Sequence, residues 1–293
     1  MTFRAFIFTI LITGTCTLPN ISFAQTVNEP KNNPAEWSRP YQPFRIAGNL
    51  YYVGTYDLGC FLITTDKGNI LINTGLANSD KIIANNIRTL GFKLSDTKIL
   101  LTTQAHFDHM GAMAALKKLT GAKVYVNAKD AQVMKDGGAS DYALGNGKPV
   151  YTPVTPDKLL HDGDVITLGA TKLAMLDHPG HTQGSCSYML TTSEGKRTYR
   201  VLIANMPTIV TEKPFGQLPS YPTVEKDYVT TLRKMKTLKF DIWVSSHASQ
   251  FGLHQKHTPG DAYDPAKFVD QAGYEKALND LQAEFDKMVG KKK

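Results

Sequence analysis

The stretch TTQAHFDHMGA, residues 102–112, crowds a glutamine, two histidines and an aspartate into six positions, directly behind the apolar run KILLT at 98–102. Residues two apart at an extended strand end project to the same side, so Gln104 and His106 can face one point. Asp108 and His109 follow in the turn that opens a helix, where Gly111 lets the backbone turn closely. Taken alone, Asp108 also reads as a helix N-cap, and a single histidine as a hydrogen-bonded core residue. Two histidines and an aspartate between positions 106 and 109 are not explained that way. Imidazole and carboxylate donors together suit Zn²⁺, whose ligand distances are about 2.0 to 2.2 Å, and no paired cysteines nearby point to a purely structural ion.

Outward from this stretch the chain alternates strands and helices. Upstream, YYVGTYDLGCFLIT and NILIN read as two strands joined at Asp66-Lys67-Gly68. Asn78-Ser79 then cap a helix carrying Ile82, Ile83, Ile87 and Leu90, which Gly91 stops. Downstream follow a helix AMAALKKLTGA, a strand AKVYV and a helix NAKDAQVMKDGG, an order that suggests βαβ units. Residues 137–160 are rich in Gly and Pro and read as a long functional loop. Four β-like runs come next (DVITLG, TKLAMLDH, SCSYMLTT and YRVLIAN), with a hairpin turn at Ser193-Glu194-Gly195. A helix at about 224–238, a strand FDIWVSS and a last helix from about Tyr274 close the chain. Two sheets packed together with helices outside would bury all these apolar faces.

Two further histidines end predicted strands, where α/β sheets place their ligands. His181 lies in HPGHTQGS behind the turn at Pro179-Gly180, and His247 ends FDIWVSSH; both read as metal ligands. His178 precedes a proline and fits a supporting role, whereas His161, His254 and His257 lie in polar loops and read as solvent-exposed.

The N-terminus has the form of a secretory signal peptide over 1–24: Arg4, an apolar run from Ala5 to Ile12, and Ser22-Phe23-Ala24 before the cleavage point. The run is too short and interrupted to span a bilayer, which needs roughly 20 apolar residues. The expectation is a periplasmic protein of one domain, 25–293, without a membrane anchor after cleavage and by default a monomer. Removing Arg4 leaves 32 basic residues against 26 acidic, a net charge of about +6 that is spread along the chain without a nucleic-acid-binding motif. Loss of Cys16 leaves Cys60 and Cys186, which read as buried free thiols, with one disulfide as the alternative.

QAHFDH, HPGHTQGS and SSH, preceded by YYVGTYDLGCFLITTDKGNILINTG, resemble the metallo-β-lactamase superfamily. WSRPYQPFRIAGNLYYVGT, VTPDKLL, RVLIANMP and FDIWVSSHASQF narrow the resemblance to the GOB-type branch of the third subclass, in which glutamine replaces the first histidine. The resemblance implies an α/β fold of the four-layer αββα type with zinc in the groove along the sheet edges. It implies one metal site at Gln104, His106 and His181 and a second at Asp108, His109 and His247. It implies hydrolysis of the β-lactam ring of penicillins, cephalosporins and carbapenems by metal-bound hydroxide, and hence antibiotic resistance. Asp108 would anchor the metal and orient the attacking oxygen as the catalytic carboxylate.

A carboxamide oxygen is a weaker donor than imidazole, so the Asp108/His109/His247 site is expected to hold zinc more tightly, with one or two ions in all. Relatives in the subclass usually carry serines where this chain has Asn205-Met206-Pro207-Thr208; Met206 reads as a packing residue and Thr208 as a contact to the substrate carboxylate. Asn73 stands where many members have an aspartate, and its amide can hydrogen-bond a ligand's backbone. The alternatives are a glyoxalase-II-like thioesterase, a lactonase, or a non-catalytic zinc-binding protein. Fold alone does not decide among them.

Overall fold

A computed structural model describes residues 1–2 and 27–290, so the leader expected at 1–24 falls, apart from its first two residues, outside the described residues. Among the described residues twelve strands form two sheets. The first runs in chain order through β1 (Phe44–Ala47), β2 (Leu50–Tyr52), β3 (Phe61–Thr65), β4 (Gly68–Ile72), β5 (Thr97–Leu101), β6 (Lys123–Asn127) and β7 (Lys158–Leu160). Its first four strands are antiparallel and β4 to β7 are parallel. The second comprises β8 (Val165–Leu168), β9 (Thr171–Asp177), β10 (Cys186–Glu194), β11 (Arg197–Ala204) and β12 (Ile242–Ser245), antiparallel except for the β11–β12 pair. Helices α1 (Ser79–Thr89), α2 (Phe107–Met110), α3 (Met113–Thr120) and α4 (Ala131–Lys135) follow strands of the first sheet; α5 (Val224–Met235), α6 (Leu253–Lys256) and α7 (Gln271–Met288) flank β12. No helix among the described residues is long and apolar enough to cross a membrane.

The continuous apolar runs of the first sheet follow from burial on both faces. Phe61 and Ile63 of β3, Ile70 and Ile72 of β4, and Ile99 and Leu101 of β5 enter the core shared with the second sheet. The residues between them, Leu62, Leu71 and Leu100, enter a second core with Ile83 and Ile87 of α1 and Met113 and Leu116 of α3. Each such side chain contributes about 1.5–3 kcal/mol relative to exposure. On the far side Tyr228 and Leu232 of α5 and Leu278 and Phe285 of α7 close the core, which completes the expected α-β-β-α layering.

Four local expectations need correction. The run from Tyr51 to Thr64 is two strands separated by an irregular segment, because Thr55 and Leu58 turn their carbonyls to the Tyr52 hydroxyl, and the Leu58 amide bonds the Thr55 hydroxyl. Asn78 precedes α1 but makes no side-chain capping bond. Asp108 lies inside α2, whose N-cap is His106, so the carboxylate is free for another role. The hairpin between β10 and β11 turns at Gly195 and Lys196, since Glu194 pairs with Arg197. Gly111 behaves as expected, for a Cβ there would stand 2.4 Å from the Ala77 nitrogen and the Leu76 carbonyl carbon.

Asn73, just beyond β4, holds the two sheets' loops together. It is the one non-glycine residue at positive φ (61°) among the described residues, a conformation that Asn tolerates better than most. Its side-chain oxygen accepts from the Thr103 amide (2.9 Å) and hydroxyl (3.1 Å), and its NH₂ donates to the Gly59 carbonyl (3.2 Å) and the Ser246 hydroxyl (3.4 Å). The amide meets all four partners because it offers a donor and an acceptor at once. Replacing Asn73 with Ala is therefore expected to cost about 2–4 kcal/mol, from the left-handed backbone and the unpaired buried groups. Urea denaturation measures this, and a loss under about 0.5 kcal/mol would contradict the bridging role.

Candidate metal centre

The expected ligands converge because each leaves the C-terminal end of a strand along one rim. After β5 the chain runs through Gln104 and His106 into α2; after β9 it turns at Pro179-Gly180 to His181; after β12 it reaches His247. Backbone bonds stitch these ends together: the Cys186 amide to the Thr103 carbonyl (2.8 Å), and the Gly59 amide to the Ser246 carbonyl (2.8 Å).

Asp108 Oδ2 stands 3.3 Å from Nε2 of His109 and 3.3 Å from Nε2 of His247. One donor atom from each of these three residues lies within 4.8 Å of the others. Beside this set, His106 Nδ1 lies 3.1 Å from His181 Nε2. Two donors bound at about 2.0–2.1 Å to a tetrahedral ion stand roughly 3.3 Å apart, so both spacings fit a shared cation. The buried polar atoms agree. Among the described residues neither ring nitrogen of His109 has a hydrogen-bond partner, nor has Oε1 of Gln104. Such orphans are costly unless something else occupies their lone pairs. The donor set fits zinc.

The outward nitrogens of three of these histidines are anchored, which selects the inward one as donor. His247 Nδ1 meets Asp57 Oδ2 at 3.0 Å, leaving Nε2 toward Asp108. Asp57 is in turn held by the Ser249 amide (2.8 Å) and the Trp37 indole (3.1 Å). His106 Nε2 meets Asp141 Oδ2 at 3.2 Å, and the Asp141 Oδ1 accepts from the Ala143 and Leu144 amides. His181 Nδ1 donates to the Thr208 carbonyl at 2.8 Å, which also accepts from the Tyr228 hydroxyl.

Electrostatics follow from this pairing. Burial opposes charge on His247, but the hydrogen bonds and charges of Asp108 and Asp57 outweigh it and raise its pKa to about 9. Burial likewise opposes charge on Asp141, yet the His106 ring and the loop amides lower its pKa to about 2. His181 is pushed down to about 3 by burial and the neighbouring His106. Asp57 and Asp108 both lie well below the usual carboxylate range, burial being outweighed by their histidine partners.

All six expected ligands thus lie along one rim, five of them with donors at short range and Gln104 with its buried oxygen unpaired. Thr208 is half-buried beside them, its hydroxyl 3.0 Å from His181 Nδ1. It lines a cavity of about 330 Å³ with Met206, Ser249, Gln250 and, on α7, Lys276. Met206 is also a core residue, as expected of a packing side chain. His178 has a supporting role, sharing a 2.6 Å hydrogen bond with Ser187. His161 is exposed, but His254 and His257 are not: they stack on Tyr56 and Phe44 with ring centroids 3.7 Å apart in both cases, because His254 lies in α6 and His257 directly follows it, which sets both rings against the aromatic cluster. Cys60 and Cys186 are buried free thiols.

Asp57, Asp130 and Asp141 escaped the sequence reading. Asp57 lies in the run taken for strand, where Gly54 and Gly59 were the available signal of a break. Asp141 lies in the Gly/Pro-rich loop, which was expected to be functional without any residue being singled out.

Residues 60–247 match the family described as the metallo-beta-lactamase superfamily. The fold superposes on the crystal structure of LRA-12, a class B3 di-zinc metallo-beta-lactamase from an Alaskan soil metagenome, with 61% identity, TM-score 0.89, and coverage of 90% of this chain and 100% of that one. It is also similar to the metallo-beta-lactamase GOB-18 of Elizabethkingia meningoseptica, at 54% identity and TM-score 0.91, covering 92% of this chain and all of that one. A hydroxyacylglutathione hydrolase of Haemophilus influenzae is 28% identical over 139 residues, 47% of this chain and 63% of that protein. Matches to the first curated relatives span 49% to 66% of their length.

Two outcomes follow for the donor sets. Asp57→Asn and Asp141→Asn are each expected to weaken zinc binding about 10- to 100-fold, at the His247 and His106 sets respectively. Competition with a chromophoric chelator measures both, and unchanged affinities would sink the anchoring role. In addition, zinc must displace the proton that His247 holds below about pH 9. Its affinity at that set should therefore fall roughly tenfold per pH unit on acidification below that value. A flat affinity between pH 7 and 9 would contradict a protonated His247.

Proposed function

The chain belongs to the metallo-beta-lactamase superfamily, and within it to the class B3 enzymes; from that membership we propose an exported, periplasmic zinc hydrolase that opens the ring of penicillins, cephalosporins and carbapenems and so confers resistance. The observation that carries this reading is the adjacency of the two donor sets, with buried orphan atoms on Gln104 and His109, beside a cavity that Thr208 lines. Zinc held there would bring the pKa of a bound water toward 7 and stabilise negative charge on oxygen and nitrogen.

The chain's own residues do the rest. Asp108 is the catalytic carboxylate: its oxygen between His109 and His247 accepts a hydrogen bond from the attacking water and aims it at the carbonyl carbon. The water oxygen bonds to that carbon as the carbon–nitrogen bond of the strained ring breaks; of the water's two protons one ends on the nitrogen and the other leaves with the new carboxyl group. No cysteine nucleophile takes part, since burial raises the Cys60 and Cys186 thiols well above their usual range. Thr208 contacts the substrate carboxylate from the cavity wall.

Gln104 sets the order of filling. Its neutral carboxamide is the poorest donor of the six, so the Asp108/His109/His247 set fills first and one ion there suffices. Purified protein should hydrolyse a carbapenem and a cephalosporin, and a chelator should abolish turnover. Metal-free protein titrated with zinc should regain activity with the first equivalent; activity arising only beyond it would overturn the one-ion claim. Turnover of a glutathione thioester or a lactone with none of a β-lactam would favour the thioesterase or lactonase reading. Metal binding without turnover of any of them would favour a non-catalytic zinc protein.

A further inference from the structure

Asp130 lies 21 positions beyond His109, just past β6, the strand next to β5, and none of the expected ligands is its hydrogen-bond partner. Its carboxylate is only 1% exposed and makes three bonds. Oδ2 accepts from the Ala105 amide at 3.0 Å and from the Thr182 hydroxyl at 2.7 Å; Oδ1 accepts from the Gly184 amide at 2.7 Å. Ala105 sits between Gln104 and His106, and Thr182 directly follows His181. One carboxylate therefore clamps the backbone around all three members of the first donor set. The other set is held elsewhere, by Asp57 on His247 and by Asn73 on Ser246.

The clamp is close-fitting on its far side. A Cβ on Gly184 would stand 2.5 Å from the Asp130 nitrogen and 2.6 Å from its Cγ. Backbone and carboxyl carbon cannot yield as a flexible side-chain end would, so position 184 has room only for glycine. Thr182 is fixed in turn by the Ser185 hydroxyl, which accepts from the Thr182 amide at 2.7 Å. The three bonds need three acceptor lone pairs, which an ionised carboxylate supplies and an amide does not. Whichever way an asparagine is turned, its NH₂ faces at least one N–H or O–H donor.

We propose that Asp130 is the positioning residue that keeps Gln104, His106 and His181 in register, and that it decides whether this half-site holds a metal ion. The proposal rests on the metal-centre reading. A set whose first member is a weak carboxamide donor has little affinity to spare, so small displacements of its loops cost it the ion before the Asp108 set is affected.

The test compares wild type with Asp130→Asn and Gly184→Ala, two changes that loosen the clamp from opposite sides. Zinc affinities come from chelator competition carried to saturation, and the coordination of each ion from the visible spectrum of the cobalt-substituted protein. Wild type should bind two equivalents, one tighter. Both variants should keep the tighter equivalent and its cobalt spectrum, which certifies that they are folded, while the weaker equivalent loses at least tenfold in affinity. Two equivalents bound as in wild type would overturn the proposal. So would parallel loss of both, which would make Asp130 a general stability residue, or a wild type that saturates at a single equivalent. Wild type that binds no metal would overturn the metal-centre reading itself.

Discussion

The molecule depends on one buried amide. Asn73 stands at the end of β4 in a backbone conformation that costs free energy, and its side chain spans the two sheets from there. One end accepts from the loop behind β5 and the other donates to the loop behind β12 and to the Gly59 carbonyl. Apolar packing brings the sheets together but has no direction; the amide makes the relation of two loops specific. With the direct Thr103–Ser246 hydroxyl bond (2.9 Å) and the Gly59–Ser246 backbone bond (2.8 Å), it ties the loop of the first motif to the strand end that carries His247, whose Nε2 stands 3.3 Å from Asp108.

Around that bridge the fold buries a cluster of ionisable groups. Asp108, His109, Asp130, Asp141, His106 and His181 are all buried, and each charged group needs compensation to be tolerated there. The compensation is distributed by role. Asp57 and Asp141 each orient an imidazole, Asp130 orients backbone, and Asp108 alone faces two histidines that point inward. What stays uncompensated is informative: among the described residues the Gln104 oxygen has no hydrogen-bond partner and the His109 ring makes no hydrogen bond, its Nε2 only facing the Asp108 carboxylate at 3.3 Å, and those are the atoms a cation would satisfy.

The aromatic cluster beside the site shows the limit of composition as a guide. His254 and His257 occur among polar residues, yet both are stacked on rings, His257 with its Nδ1 3.1 Å from the Tyr41 hydroxyl. Whether such a histidine meets water or an aromatic face depends on the local fold, and here a short helix that holds His254 and ends at His257 sets both rings against aromatic faces.

Local pattern carried most of the alternation of strands and helices and the clustered donors of the QAHFDH stretch, because hydrophobic periodicity and donor spacing are local properties of the chain. The resemblance carried by QAHFDH, HPGHTQGS and SSH extended this to six named ligands on one rim. Tertiary structure decided the parts that depend on distance in space. Asp57, Asp130 and Asp141 have no motif of their own, and their partners lie 190, 25 to 54 and 35 positions away. A carboxylate's function here is set by which imidazole or amide meets its oxygen, and only the packing of the two sheets brings those atoms within hydrogen-bonding reach.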